Sequence, residues 1–505
     1  MRGSEAGAPA RPRVCLITEG TYPHVLGGVS SWCDQLVRGL DDVDWSIVPI
    51  TAGGWRRRSL FDIPDHAELE PSLELWSRTR TPSGLLRRKP DAGVVDLPAR
   101  LCRDLLWAET DPASLSATLA ACREAGPDAI GAFRTIEAWD RFVRTLIQLS
   151  SAQGTDRFTD VEFSAGEAAD LWQTLSWVAR AACRELPPTD ALLITAAGWP
   201  AVLAAVEKQR SGTPVILVEH GVYVREAYLS ASSSGVSAGR QLSSTRLATA
   251  LARLAYHVAD KITPVTSAHR PWERYLGAPD ARIEPIVNGI DSSRRPTPPR
   301  NGRTVVSVGR IDPLKDIVTM LHTARHTIDR MPDVQFRHYG PAAPHNRDYD
   351  RMCRRVHAAL GLGDRFVFMG STNDAHGVIR AGDLYLSTSI SEGLPLSLLE
   401  AMTEARPIVS TDVGGCAEVV AGCGIVANAG DSLALSHGIT TILDSPELAR
   451  MLGRRGHRRA QRRFSIQRQH QRYRELIAAA CDGTLTADAS TQRPAPPVET
   501  IGSVA

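Results

Sequence analysis

Eleven short apolar runs set the terms on which this chain can fold: VCLIT (14–18), WSIVPIT (45–51), LLITA (192–196), PVILVE (214–219), KITPVT (261–266), TVVSVG (304–309), VQFRHYG (334–340), FVFMG (366–370), DLYLST (383–388), PIVST (407–411) and GIVA (424–427). Most are nearly continuous in apolar character, as expected of strands covered on both faces. Helical spacing fills many of the gaps. After VCLIT, residues Val29, Trp32, Cys33, Leu36, Val37 and Leu40 share one helical face, and Ser164 with Glu167 has the spacing of a capping box. Strands alternating with helices predict α/β architecture with doubly wound parallel sheets.

A chain of 505 residues exceeds one ordinary core, and two large domains are expected. All ten tryptophans fall at or before Trp272, so the halves differ in composition. The proline- and arginine-rich stretch SSRRPTPPRNGR places a linker at 292–302. The resulting division is a disordered tail over 1–13, a first domain over 14–291 with a mostly helical insertion at about 55–175, and the linker. A second domain over 303–463, a terminal helix over 464–481 and a second disordered tail over 482–505 complete it.

The charge balance is 58 basic minus 56 acidic residues, or +2, which gives no reason to expect a nucleic-acid partner. Nine cysteines without a C-x-x-C pair suggest a reducing cytoplasm and no zinc site. MRGSEAGAPARPR lacks an apolar core, so a signal peptide is not expected. ALLITAAGWPAVLAAV falls short of a membrane span and reads as strand, turn and helix start.

Ligands of doubly wound sheets sit beyond the carboxyl ends of the strands, which directs attention to VGRIDPLKD, SEGLPLSLLE and TDVGGCAEV. Arg310 and Lys315 place two cations where a diphosphate could be held. Pro395 suits a first helical turn, leaving the N–H groups of Gly393, Leu394 and Leu396 to face an anion at the positive end of the helix. Glu400, more than a turn inside, can accept hydrogen bonds from a diol such as a ribose, while Glu392 stays near the anion.

Glu392 and Glu400 with the Arg310/Lys315 pair resemble the retaining family 4 glycosyltransferases. The stretches EGTYPHVLGGVSSW, VEHGVYVRE, IVNGID, GRIDPLKD and ISEGLPLSLLEAM are similar to the PelF-like members, which serve Pel exopolysaccharide synthesis. The resemblance implies a GT-B fold, two facing Rossmann-like domains with an interdomain cleft and a C-terminal helix returning to the first domain. It implies transfer of a sugar from a nucleotide-diphosphate sugar, a UDP-sugar, to a glycan or lipid-linked acceptor. Arg310 and Lys315 would neutralise the diphosphate, Glu400 would bind the ribose and Glu392 would contact the transferred sugar. The Gly27-Gly28 turn would approach the phosphates, and His220 would line the sugar pocket. Glu392, His220, Arg310 and Lys315 are thus the catalytic candidates, with no metal or cofactor. The setting implied is cytoplasmic, at the inner face of the membrane beside a polysaccharide-synthesis complex. A non-catalytic nucleotide-sugar-binding subunit and a disaccharide phosphorylase or synthase of the same fold are the alternatives.

Other motifs fail on context. GVSAG (235–239) has no strand before it to form a nucleophile elbow, and GCGIVA precedes a strand instead of following one. The triplets Asp42-Val43-Asp44 and Asp348-Tyr349-Asp350 resemble the Asp-x-Asp metal site of the other major glycosyltransferase fold, but neither follows a strand as that site requires.

Overall fold

The computed structural model describes residues 11–52, 59–76, 91–107, 111–151, 161–232, 235–293, 296–297, 302–343 and 346–485. Most of the two tails, parts of the insertion and most of the linker therefore lie outside the described residues. The chain divides into two compact units: Met1–Thr263 with Arg270–Glu284 and Arg474–Ala505, and Pro264–His269 with Pro285–Tyr473.

The first sheet holds β1 (Arg13–Glu19), β2 (Asp44–Ala52), β3 (Ala67–Leu69), β4 (Leu73–Leu75), β5 (Ala191–Ile194), β6 (Val215–Glu219) and β7 (Lys261–Pro264), all in the first unit except Pro264. Their order is β3-β2-β1-β5-β6-β7, with β4 also on β2. The second unit holds β8 (Thr304–Val308), β9 (Gln335–Tyr339), β10 (Phe366–Gly370), β11 (Leu384–Ser387), β12 (Ile408–Thr411) and β13 (Gly424–Ala427), ordered β10-β9-β8-β11-β12-β13. Both orders are the doubly wound one, in which the chain first builds outward to one side and then crosses to the other. All eleven apolar runs fall on strands. The burial of β5 and β6 at every position explains why their sequences do not alternate.

Aspartates immediately before strands pin the amino edges of both sheets. Asp190 accepts from Arg13 N at 2.9 Å, Asp260 from Val215 N at 2.8 Å, and Asp383 from Thr304 N at 3.0 Å. Each ties the start of one strand to its neighbour and fixes register, leaving the carboxyl edges for loops.

The helix behind β1 spans Gly28–Gly39 and buries Trp32, Cys33, Leu36 and Val37, with Ser30 buried and Val29 only half-buried. Ser164 and Glu167 form the expected capping box on Ala165–Ala182. The 55–175 segment is largely helical where described, but β3 and β4 extend the first sheet from within it. These strands have three residues each and no apolar run. They form because the edge of β2 offers unpaired backbone groups, which is a tertiary cause.

Pro285 onward groups with the second unit, whereas the sequence set the change at 292–302. The buried Arg406 donates to Thr297 O at 2.9 Å, so that part of the proposed linker is anchored. In the terminal helix Ile466–Cys481, Arg474 donates to Asp42 at 2.7 Å and groups with the first unit. Among the described residues, no helix is long and apolar enough to cross a membrane.

Candidate functional site

In the second sheet, β8 and β11 are neighbours although two strands separate them in sequence. This is the switch point of the strand order, beside which doubly wound sheets bind ligands at the carboxyl ends of their strands. Arg310 and Lys315 leave β8, and Glu392 leaves β11. Tyr385 joins the two strands at this point, its hydroxyl donating to Val308 O at 3.1 Å.

The loops are stitched to each other. Thr388 Oγ1 donates to Lys315 O at 2.9 Å, and Ile390 N donates to Leu314 O at 2.9 Å. Lys315 Nζ pairs with Glu392 Oε1, not with Asp312 or Asp316. Ser389 Oγ donates to the same carboxylate oxygen at 2.6 Å. Asp312 instead shapes the turn, accepting from Leu314 N at 3.0 Å and from Asn346 at 2.9 Å. Asp316 caps the helix Ile317–Arg330. Arg310 lies 3.8 Å from Asp312 and half in solvent, a separation too long for a hydrogen bond. Its charge remains available to an anion.

The helix that carries Glu400 spans Leu396–Thr403 with Pro395 as its N-cap. Pro395 thus stands one position earlier than the first-turn role expected of it. Its extended ψ of 122° turns the chain into the helix. No acceptor among the described residues takes the N–H groups of Gly393, Leu394 or Leu396, which leaves donors at the helix start. Burial pushes Glu400 above the usual carboxylate range, opposed by the charge of His376.

Four contributors were not assigned from sequence: Gly340, Gly414, Gly415 and Ser389. Gly340 adopts φ 146°, and a Cβ there would stand 1.8 Å from Gly309 O, beside Arg310. Gly414 adopts φ 53°, and its Cβ would stand 1.9 Å from Glu392 O. Gly415 N donates to Gly393 O at 2.6 Å. The glycine pair after β12 therefore permits a backbone approach that seats Glu392 and Gly393. Two consecutive glycines after a strand were the available signal. Ser389 carried none.

In the first unit, Gly27 caps the helix Gly28–Gly39 with extended dihedrals, and a Cβ on Gly27 or Gly28 would meet nothing within 4 Å among the described residues. Neither backbone strain nor packing against the described residues requires glycine there. His220 lies edge-on to Trp32 of that helix, ring centroids 4.6 Å apart at 74°, so the structure brings the His220 segment to the helix that Gly27 and Gly28 open.

Beside His220 is a feature that the sequence did not reveal. Glu219 is fully buried and accepts from Tyr256 Oη at 2.7 Å, with buried Glu273 adjacent. Two carboxylates in a dry setting repel unless they share a proton. Burial, reinforced by Glu273, drives Glu219 well above its ordinary value, and burial raises Glu273 from 4.5 to about 7. As pH rises, the unfolded chain loses these protons first. The stability tied to Glu273 is thus full below its unfolded value and is lost as pH climbs through about 7. Glu273→Gln removes that titration, so its melting temperature relative to the parent should increase by a few degrees from about pH 5 to about pH 8. Parallel melting curves across that range would show that Glu273 does not titrate this way.

The residues of the motifs set aside above have other partners in the structure. Ser237 follows a helix and donates to Glu167 at 2.6 Å. Asp42 is held by Arg474, Asp348 pairs with Arg351, and Asp350 pairs with Arg354.

Residues 12–281 match the family described as Domain of unknown function (DUF3492), and residues 302–445 match Glycosyl transferases group 1. Similar curated proteins include the putative glycosyltransferase EpsD of Bacillus subtilis, 33% identical over 125 residues (24% of this chain, 32% of EpsD). Others are a trehalose synthase of Rubrobacter xylanophilus, 30% identical over 201 residues (39% and 46% of the two chains), and the lipopolysaccharide core mannosyltransferase LpsB of Rhizobium meliloti, 29% identical over 213 residues (39% and 59%). The chain thus spans between 32% and 59% of these relatives' lengths. Among solved structures, Anabaena HepE in complex with UDP and glucose is 16% identical at TM-score 0.59, covering 92% of this chain and 99% of that one. Sucrose-phosphate synthase of Thermosynechococcus elongatus is 18% identical at TM-score 0.59, covering 93% and 100%. These structural likenesses bear on the fold, which is that of the GT-B class.

Proposed function

We propose that this chain, which belongs to the DUF3492 family and continues into a group 1 glycosyltransferase region, transfers a sugar from a nucleotide-diphosphate sugar to a glycan. The observation that carries this reading is the grouping of Arg310, Lys315 and Glu392 with the open N–H groups of Gly393, Leu394 and Leu396 at the switch point of the second sheet. Cations and helix-start donors converge where a leaving diphosphate gains charge, and Glu400 lies within the same helix to take a ribose. A UDP donor is favoured by the UDP complex of HepE, and glycan acceptors by EpsD and LpsB.

The finer reading is a retaining, metal-independent enzyme of the PelF-like family 4 kind. The Lys315–Glu392 pair gives it a mechanism. An arriving diphosphate competes for Lys315, which releases Glu392 to accept from a hydroxyl of the transferred sugar. The acceptor then attacks from the side of the departing phosphate, which takes its proton. Gly27, Gly28 and His220 keep the phosphate and sugar contacts that the resemblance implies, and the acceptor is a glycan or lipid-linked chain at the cytoplasmic face of the membrane, presented by a polysaccharide-synthesis complex. A disaccharide synthase is the second reading, favoured by the trehalose synthase match; product size separates the two.

Calorimetric titration with UDP and GDP, with and without chelator, tests the donor assignment. UDP should bind in preference to GDP, with the same affinity in chelator. If neither nucleotide bound, Arg310, Lys315 and Glu400 would lose their roles, and chelator-sensitive binding would overturn the metal-independent mechanism.

A further inference from the structure

The carboxyl edge of the first sheet carries a second cluster, made of residues other than Gly27, Gly28 and His220. Trp76 directly follows β4, Trp199 comes from the loop after β5, Glu19 ends β1, and Tyr223 opens the helix after β6. Glu19 ties Trp199 to Tyr223: its Oε2 accepts from Trp199 N at 3.0 Å, and its Oε1 accepts from Tyr223 Oη at 3.0 Å. The approach is close enough that a Cβ on Gly198 would stand 2.6 Å from both Glu19 Oε2 and the Tyr223 ring. Gly198 in the Gly198-Trp199-Pro200 break is therefore required by this packing.

Trp76 is the unusual member. Its indole meets Trp199 edge-to-face, centroids 5.4 Å apart at 81°, and it is 36% exposed, whereas Trp199 is 3% exposed. Its backbone lies at φ 57°, a region in which a bulky residue is rare and glycine would be unstrained. A large ring kept at a strained position, with part of its surface open, points to a use for the ring itself.

We propose that Trp76, Trp199 and Glu19 form a saccharide subsite, in which a pyranose ring lies on the exposed Trp76 indole and its hydroxyls donate to Glu19. The electron-rich indole face attracts the slightly positive C–H groups of a sugar ring. A carboxylate has about four acceptor positions, and the two bonds already made hold the Glu19 oxygens in place with capacity to spare. Burial, opposed by the bonds from Tyr223 and Trp199, leaves Glu19 at about 7, so it can exist in either protonation state near neutrality. Within the function proposed above, on which this inference rests, the ligand class is the acceptor glycan.

The test uses the full chain, with maltotriose, cellotriose, chitotriose and mannotriose as probes followed by indole fluorescence, and UDP titrated separately. At least one trisaccharide should bind. Trp76→Ala should weaken it about tenfold, Trp76→Phe should restore part of the loss, and UDP affinity and melting temperature should stay unchanged in both variants. The subsite is overturned if no trisaccharide binds the parent protein, if Trp76→Ala binds it equally well, or if saccharide affinity, UDP affinity and melting temperature fall together. If UDP fails to bind the parent while a trisaccharide binds through Trp76, the donor assignment falls and the saccharide subsite stands.

Discussion

Glu392→Gln should cut sugar transfer by about a hundredfold to a thousandfold and leave UDP binding intact or tighter. The two effects separate because Glu392 shares one oxygen between Lys315 and Ser389. Glutamine keeps the shape of the side chain and an oxygen for Ser389 to reach, so the loop after β11 retains its course. It loses the negative charge, however, which opposes an incoming diphosphate and occupies Lys315. The lysine becomes free to meet the phosphates, while the group proposed to contact the transferred sugar has lost its strength as an acceptor. Turnover and UDP affinity measured on the same preparation decide the matter. If both fell together, Glu392 would serve only to hold the loop. Unchanged turnover would remove it from the chemistry.

Gly414→Ala should lower transfer by about a hundredfold, although Gly414 is not itself proposed to contact substrate. Its φ of 53° already disfavours alanine, and the added Cβ would stand 1.9 Å from Glu392 O. A backbone oxygen has no alternative rotamer, so the segment carrying Glu392 and Gly393 must shift. Misplacement by about 1 Å can cost on the order of a hundredfold in rate. Gly422→Ala is the matched control: φ is 72°, and a Cβ there would meet nothing within 4 Å among the described residues. It bears the left-handed backbone cost alone, on the order of 1 kcal/mol. Equal activity in the two variants would mean that the approach of Gly414 does not position Glu392.

Local order was legible where the cause was local. The eleven apolar runs became strands because burial on both faces demands such runs, and Ser164 and Glu167 made their capping box because both partners lie in one helical turn. The loops after β8, β11 and β12 stood out for the same reason, with their cations, their Gly-Leu-Pro turn and their paired glycines following strands directly. β3 and β4 were missed because three residues carry no periodicity, and their pairing depends on the edge of β2.

From the sequence alone came the strand content, the doubly wound class and the residues proposed to serve a nucleotide sugar: Arg310 and Lys315 for its diphosphate, Glu392 and Glu400 for its sugar and ribose. Only the tertiary structure decided which of them meet. Lys315 had acids within three positions on either side, yet it pairs with Glu392, 77 residues away. Glu219 finds Glu273, and Trp76 finds Trp199, across comparable separations. The physical reason is strand order. Periodicity and capping arise among residues a few positions apart, whereas placing β8 beside β11 and β1 beside β5 depends on how whole strands and helices share one core.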